Sequence, residues 1–222
     1  MKNDFPGPVP ALFRGIEAGQ LDGLLSLLGA RRRDYLRGET VLRPGDPCRI
    51  GIVLTGQVQI IQEDLWGGRT VIGLAEAGDL FGEAFVCAGE SEMPVGVCCA
   101  SESSILLLDG AALFLNGQQP PAAGILLHNL LQIVSAKAVG LIRKNFVLSR
   151  RSTREKLLSY LSAQASQAGS REFSIPFDRQ QLADYLAVER SAMSAELGRL
   201  RREGVLETRR NRFVLHLPDQ GG

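Results

Sequence analysis

Histidine is nearly missing from this 222-residue chain: His128 and His216 are the only two. Zinc and haem sites draw heavily on imidazole, so a metalloenzyme or haem sensor has little to build with. Residues 35–108, which read as β-structure, contain none, and this removes the His/Glu metal set that a cupin-type enzyme needs. Cysteine is sparse as well. Cys48, Cys87, Cys98 and Cys99 are irregularly spaced, which suits neither a disulfide framework nor an iron–sulfur cluster. A reduced, cytoplasmic setting is expected. Cys98 and Cys99 are neighbours on an expected strand, where alternation sends them to opposite faces and prevents them from sharing a metal. One reactive thiol among Cys87, Cys98 and Cys99 is an option for redox sensing, set against the commoner buried structural cysteine.

Long apolar runs are absent too. None approaches the ~18 consecutive residues of a membrane span, and Met1-Lys2-Asn3-Asp4-Phe5-Pro6 holds no apolar export core. No membrane partner, cofactor or metal is expected. No Ser/His/Asp or Cys/His constellation is visible, so no enzyme is expected either.

What the chain does have is unevenly distributed. The net charge of +1 conceals 12 Lys+Arg against 15 Asp+Glu in residues 1–149, and 13 against 9 in residues 150–222. The basic part carries the pairs Arg150-Arg151, Arg201-Arg202 and Arg209-Arg210. Such a segment suits a polyanion.

Three zones follow one another. From Tyr35 to Leu108 short apolar runs are separated by glycine turns such as Pro44-Gly45-Asp46, Trp66-Gly67-Gly68 and Ala77-Gly78-Asp79. Many short strands at this spacing predict a closed β-roll. A short amphipathic helix over Leu21–Leu28 precedes it. From Ala122 to Leu148 the period changes: Leu127, Leu131, Val134, Ala138, Leu141, Asn145 and Leu148 step by four and three residues. That is the seam of a helix packed on a partner helix, with Asn145 as a register-setting amide. The same stripe could cover the β-domain of its own chain, and flanking Leu126, Leu130, Ile133 and Ile142 could do so instead. The expected class is α+β: a β-roll of jelly-roll type over 1–118, a central dimerisation helix over 119–149, and a winged helix-turn-helix over 150–222.

The third zone carries the most specific signal. A helix over Arg154–Gln164 is followed by a stop at Ala168-Gly169-Ser170, and Phe173-Ser174-Ile175-Pro176-Phe177 reads as an edge strand. Asp178 and Gln181 form a capping pair that opens a short helix with Leu182, Ala183 and Leu186 inward. Ala187-Val188-Glu189 makes the turn, though Glu189 is a poor N-cap. A second helix turns Met193, Leu197 and Leu200 inward and Arg190, Ser191, Ser194 and Ala195 outward, as a helix entering a major groove requires. Leu206–Thr208 and Arg212–His216 bracket Arg209-Arg210-Asn211 as a wing.

With these residues in view, the chain resembles the Crp–Fnr family of bacterial regulators, typified by the cyclic-AMP receptor protein, over nearly its whole length. The likeness runs through Arg37-Gly38-Glu39-Thr40-Val41, Pro44-Gly45-Asp46-Pro47, Val53–Val58 and Gly78-Asp79-Leu80-Phe81-Gly82-Glu83. It continues through Arg179-Gln180-Gln181-Leu182-Ala183 and Arg190-Ser191. The resemblance implies a homodimeric transcription regulator on an inverted-repeat operator. Its implied partners are double-stranded DNA, a second copy, RNA polymerase and a small-molecule effector. It implies Arg190 on a guanine, Ser191 and Ser194 on base or phosphate, and Arg179, Arg209 and Arg210 on phosphates. The alternative is a regulatory module that works through protein contacts without DNA. Two positions depart from the pattern: Ser191 stands where many members have Glu, and Ala195 where many have Arg.

A further departure concerns the sensor. Members that bind cyclic nucleotides hold the phosphate with a Gly-Glu turn and a downstream Arg-Ser or Arg-Thr. Here Gly82-Glu83 is kept, but Met93-Pro94 falls where arginine is needed, and no arginine lies between Thr70 and Arg143. No hydroxyl residue lies between Ala136 and Leu148. A buried phosphate needs a charge-assisted partner, so a sensor of another kind is expected. Phe81, Gly82, Glu83, Phe85, Met93 and Cys98 are the expected lining of its pocket, with plain β-roll core as the competing reading.

Overall fold

The computed structural model describes residues 5–64, 66–114 and 120–216. The first four residues, the expected boundary at 118/119 and the last six residues lie outside this description. The chain divides into two compact units, Met1–Lys137 and Ala138–Gly222.

In the first unit, helix α1 (Ala18–Leu27) leads into eight antiparallel strands among the described residues. These are β1 (Arg31–Tyr35), β2 (Thr40–Leu42), β3 (Ile50–Thr55), β4 (Gln57–Glu63), β5 (Arg69–Glu76), β6 (Leu80–Phe81), β7 (Gly96–Cys99) and β8 (Ser103–Leu108), with a short helix α2 (Glu83–Cys87) after β6. They form two four-stranded sheets, ordered β1-β8-β3-β6 and β2-β7-β4-β5. Ile50, Ile52, Ile105 and Leu106 of one sheet and Val58, Ala75, Val97 and Cys99 of the other share one buried core, the two-layer arrangement of an all-β roll. The sequence reads correctly at β3, which is almost wholly apolar, and at β4, which begins with alternation; β1, Arg31-Arg32-Arg33-Asp34-Tyr35, has neither signal and lies before the expected β zone except for Tyr35.

Two glycines are dictated by close approach. Gly56 (φ +83) carries β3 of one sheet into β4 of the other, and a Cβ there would lie 2.2 Å from the Glu102 carbonyl oxygen. Gly51 lies under the Phe81 ring, 2.0 Å from Cζ for an added Cβ.

Helix α3 (Ala123–Leu148) follows the roll. Its Leu126 and Leu130 are buried in the roll core, and Asn129 donates to the Leu12 and Arg14 carbonyls at 3.0 and 2.8 Å. Leu127, Ile133 and Val134 are partly buried against the same core. The flanking set thus divides: Leu126, Leu130 and Ile133 cover the β-domain, but Ile142 does not, being 68% exposed. Leu131 and Leu141 are also exposed, at 65% and 68%, with Val139 and Phe146. Ala138 and Asn145 lie in solvent and Leu148 is half-buried. By length and composition α3 could cross a membrane, with a window of mean hydropathy 1.6 of which 11% is buried. Its docking on the roll through Asn129 and the leucines accounts for one side of that apolarity.

In the second unit, α4 (Thr153–Ala168) is opened by Ser152, whose side chain accepts from the Glu155 amide, and closed by left-handed Gly169. Strand β9 (Glu172–Ser174), helices α5 (Arg179–Leu186) and α6 (Arg190–Arg202) and strands β10 (Leu206–Arg209) and β11 (Arg212–Leu215) complete it. The sheet order is β10-β11-β9, all antiparallel, which makes the expected edge strand and wing. Leu157, Leu161, Leu182, Ala183, Leu186, Met193, Leu197, Leu200 and Phe213 form its core. At about 1.5–3 kcal/mol per buried large side chain, this core is what holds three short helices together.

Candidate nucleic-acid interface

The interface begins with a capping box. The Asp178 side chain accepts from the Gln181 amide at 2.8 Å, and the Gln181 side chain accepts from the Asp178 amide at 2.8 Å. This sets the start of α5, and with it Arg179. At the other end Ala187 takes a left-handed φ of 49°, and Lys156 of α4 donates to the Leu186 and Ala187 carbonyls at 3.1 and 3.4 Å. The turn between the helices is therefore held from below by a cation on the orphan carbonyls. Glu189, at the N-cap of α6, makes no side-chain cap bond, so the first amides of α6 remain unused on the solvent side.

Helix α6 is sorted by burial. Met193, Glu196, Leu197 and Leu200 are buried, while Arg190, Ser191, Ser194 and Ala195 are exposed on the outer face near its start. Glu196 fixes its rotation. Its carboxylate accepts from Arg154 of α4 at 3.2 Å and from Arg199 at 3.2 Å, and Arg154 also reaches Glu203 at 2.6 Å. The bond from Arg154, more than the charge of neighbouring arginines, holds the Glu203 carboxyl below its ordinary range.

Arg179, Arg190 and Arg210 line one cleft of about 670 Å³ with Asp178, Gln180, Gln181 and Asn211. Arg179 is half-buried there. Its Nη2 donates to Thr208 Oγ1 at 2.8 Å, its guanidinium lies 5.2 Å from the Phe213 ring centre, and its Nη1 is buried with no hydrogen-bond partner. Desolvation lowers its pKa. Arg210 begins the two-residue wing turn at φ 56°. Asn211 stitches that turn to the end of β9, donating to the Ile175 carbonyl at 3.1 Å. Arg209 is exposed on the wing. In the sequence Gln180 and Asn211 read as part of the helix motif and of the wing turn, but not as site residues. The arrangement offers a guanidinium and exposed backbone amides to an anion beside a helix shaped for a groove.

Among the described residues the expected sensor residues differ in burial. Phe81 and Met93 are each 1% exposed and packed as core, Gly82 is held left-handed against the Arg49 carbonyl, and Phe85 is half-buried. Glu83 is buried, and its Oε1 accepts from Lys137 at 2.7 Å. Cys98 lines a separate cavity of about 460 Å³ with Arg43 and Arg69. Burial pushes the Cys48, Cys87 and Cys99 thiols up, which lowers their thiolate content. Cys98 is half-buried and Cys99 buried.

Comparison with known proteins bears on these features. The cyclic nucleotide-binding domain family matches residues 32–115, and the Crp-like helix-turn-helix domain family matches residues 155–220. Electron transport regulator A of Shewanella oneidensis is 23% identical over 93% of this chain and 82% of its own. The fumarate and nitrate reduction regulatory protein of Escherichia coli is 24% identical over 89% and 78%. Among solved structures, CprK complexed with OCPA superposes with a TM-score of 0.64 at 14% identity, over 88% of each chain. The c-di-GMP-responsive global regulator CLP of Xanthomonas campestris gives 0.55 at 22% identity, over 91% of this chain and 100% of that one. The structures establish likeness of fold; the two domain families, in this order, with relatives alike along the chain, establish more. This chain belongs to the Crp–Fnr family of DNA-binding transcription regulators.

Proposed function

We propose that the chain acts as a cytoplasmic homodimer that reads an inverted repeat with two copies of the α6–wing surface, under control of an effector at the β-roll. The observation that carries the DNA half is the convergence of Arg179, Arg190 and Arg210 on one cleft. Arg190 donates to a guanine edge, Ser191 and Ser194 to base or phosphate, and Arg179, Arg209 and Arg210 to phosphates. The three expected divisions serve as roll (1–118), dimer helix (119–149) and DNA-binding domain (150–222). RNA polymerase is the further partner, and the chain is not itself an enzyme.

The dimer half is supported by α3. Leu131, Val139, Leu141, Ile142 and Phe146 are exposed on one helix of a single copy, more apolar surface than a lone helix keeps in water. A second α3 along the Leu127–Leu148 seam removes Leu131 and Leu141 of these from water, with Asn145 setting register. A two-fold pair then spaces the two α6 helices about 34 Å apart.

The effector is not a cyclic nucleotide in this reading. Met93 is core where the family's phosphate arginine stands, and Glu83 is engaged by Lys137. Phe81, Gly82, Glu83, Phe85, Met93 and Cys98 remain the candidate sensor residues, and the Cys98 thiol lines a cavity.

The test is selection of duplexes from random DNA by the full chain, followed by anisotropy titration at several salt concentrations. An inverted repeat and a steep salt slope are expected. Arg190→Ala should cost about 1–3 kcal/mol on the selected site and relax one base position. Binding equal to wild type at every salt concentration removes Arg190 from the interface.

A further inference from the structure

Helix α3 is anchored to the roll at intervals. Leu126 and Leu130 are buried in the roll core, and Asn129 reaches across to two carbonyls. Seven residues beyond Leu130, about 10 Å farther along the helix, Lys137 makes the last hydrogen-bonded anchor among the described residues. Its Nζ donates to the Leu80 carbonyl at 2.6 Å and to Glu83 Oε1 at 2.7 Å. From Ala138 to Phe146 every residue of α3 is exposed. Lys137 thus marks where the helix leaves the roll.

Its partner is poised unequally. The Glu83 side chain is 5% exposed against 45% for Lys137, and Glu83 Oε2 is buried with no hydrogen-bond partner. A buried carboxylate with one oxygen unsatisfied depends on its single cation, and withdrawing that cation leaves an uncompensated charge. The segment carrying Glu83 cannot adjust freely. Gly82 is left-handed with a Cβ position 2.2 Å from the Arg49 carbonyl oxygen, and Phe81 is pinned over Gly51. A displacement of α2 therefore has to be passed to Lys137 or break the pair.

We propose that the Glu83–Lys137 pair is a latch that fixes where α3 departs from the β-roll, so that its closure sets the DNA affinity of the dimer. This rests on the reading of α3 as dimer helix given above. Glu83 and Lys137 are positioning residues in it; neither touches DNA. The latch couples two elements 54 residues apart through one ion pair, and whatever shifts α2 acts on the DNA-binding unit through it. A coupling of this kind is a population shift between latched and released helix.

The test uses the full chain as Glu83→Gln, Lys137→Met and the double variant, with duplex affinity and amide hydrogen exchange over residues 131–146 as readouts. Each single variant should speed exchange in that segment and weaken duplex binding by at least about fivefold. The double variant should be no weaker than the worse single variant, and should melt at a higher temperature than Lys137→Met, because it leaves no unpaired buried charge. Glu83→Gln, which keeps shape and an acceptor, decides the matter if Lys137→Met fails to fold. Unchanged exchange overturns the latch. Faster exchange with duplex affinity within about twofold of wild type also overturns it, by reducing the pair to a structural tie. Failure of the wild-type chain to bind any duplex sinks the DNA reading instead, a result the exchange readout keeps separate.

Discussion

Arg179 and Thr208 meet across 29 residues: the guanidinium Nη2 donates to the threonine Oγ1 at 2.8 Å, joining the first residue of α5 to the wing strand β10. The same guanidinium lies over Phe213 and keeps Nη1 free of any partner. One arginine therefore holds the wing against the helix pair, through Thr208 and the Phe213 ring.

Arg179→Ala is expected to weaken DNA binding about equally on all sequences and to reduce the salt slope by about 1. Thr208→Val keeps the Phe213 stack and frees the guanidinium, so it should retain most of the affinity. Anisotropy titrations on matched and scrambled duplexes distinguish the two. A loss confined to the matched duplex would reassign Arg179 to base reading.

Glu196 is the buried carboxylate that Arg154 and Arg199 share. Glu196→Ala removes the acceptor and leaves Arg154 on Glu203 alone, at a cost of about 1–3 kcal/mol in stability. Thermal unfolding of the full chain reads it, through the transition of the helix-turn-helix unit. Glu203→Ala, at an exposed pair, should cost well under that. Equal effects would mean that burial of Glu196 contributes nothing.

Leu131 and Leu141 are exposed on α3 in a single copy. If each is buried by a second copy at about 1.5–3 kcal/mol, Leu131→Glu combined with Leu141→Glu should weaken the dimer by at least about a hundredfold. Sedimentation at micromolar concentration should then show monomer, with affinity for an inverted repeat lost in parallel. An unchanged dimer would place the contact elsewhere.

Burial, and secondarily Tyr185, pushes the Tyr160 hydroxyl up to about 12 from its ordinary 10.0. The folded state thus holds this proton more tightly than the unfolded chain. Its stabilising contribution is complete below pH 10 and is lost as pH rises towards 12, amounting to about 2–3 kcal/mol at most. Urea midpoints measured at pH 8 and pH 11 should fall more for wild type than for Tyr160→Phe. Parallel declines would show that Tyr160 does not titrate in this range.

Much of the fold was legible because its signals are local. The Asp178–Gln181 box, the αL stop at Gly169, the period change at the start of α3 and the glycine-punctuated strands each act within a few residues. What an element touches was harder to read. Ile142 flanks the seam together with Leu126, Leu130 and Ile133, yet only those three reach the roll; Ile142 lies nine residues from Ile133, about half a turn round the helix from it. Phe81 and Met93 are open in the sequence between pocket lining and β-roll core, and the structure buries both side chains.

By itself, then, the sequence determined the order of the three zones, the inward faces of α5 and α6, and the exposed start of the helix at Arg190. These follow from hydrophobic period and capping chemistry, which neighbouring residues settle between themselves. Only the tertiary structure decided that Lys137 finds Glu83, that Arg179 is half-buried on Thr208 and Phe213, and that Glu196 takes two arginines. Those pairings join residues distant in the chain, and their geometry depends on how whole elements pack rather than on any local pattern.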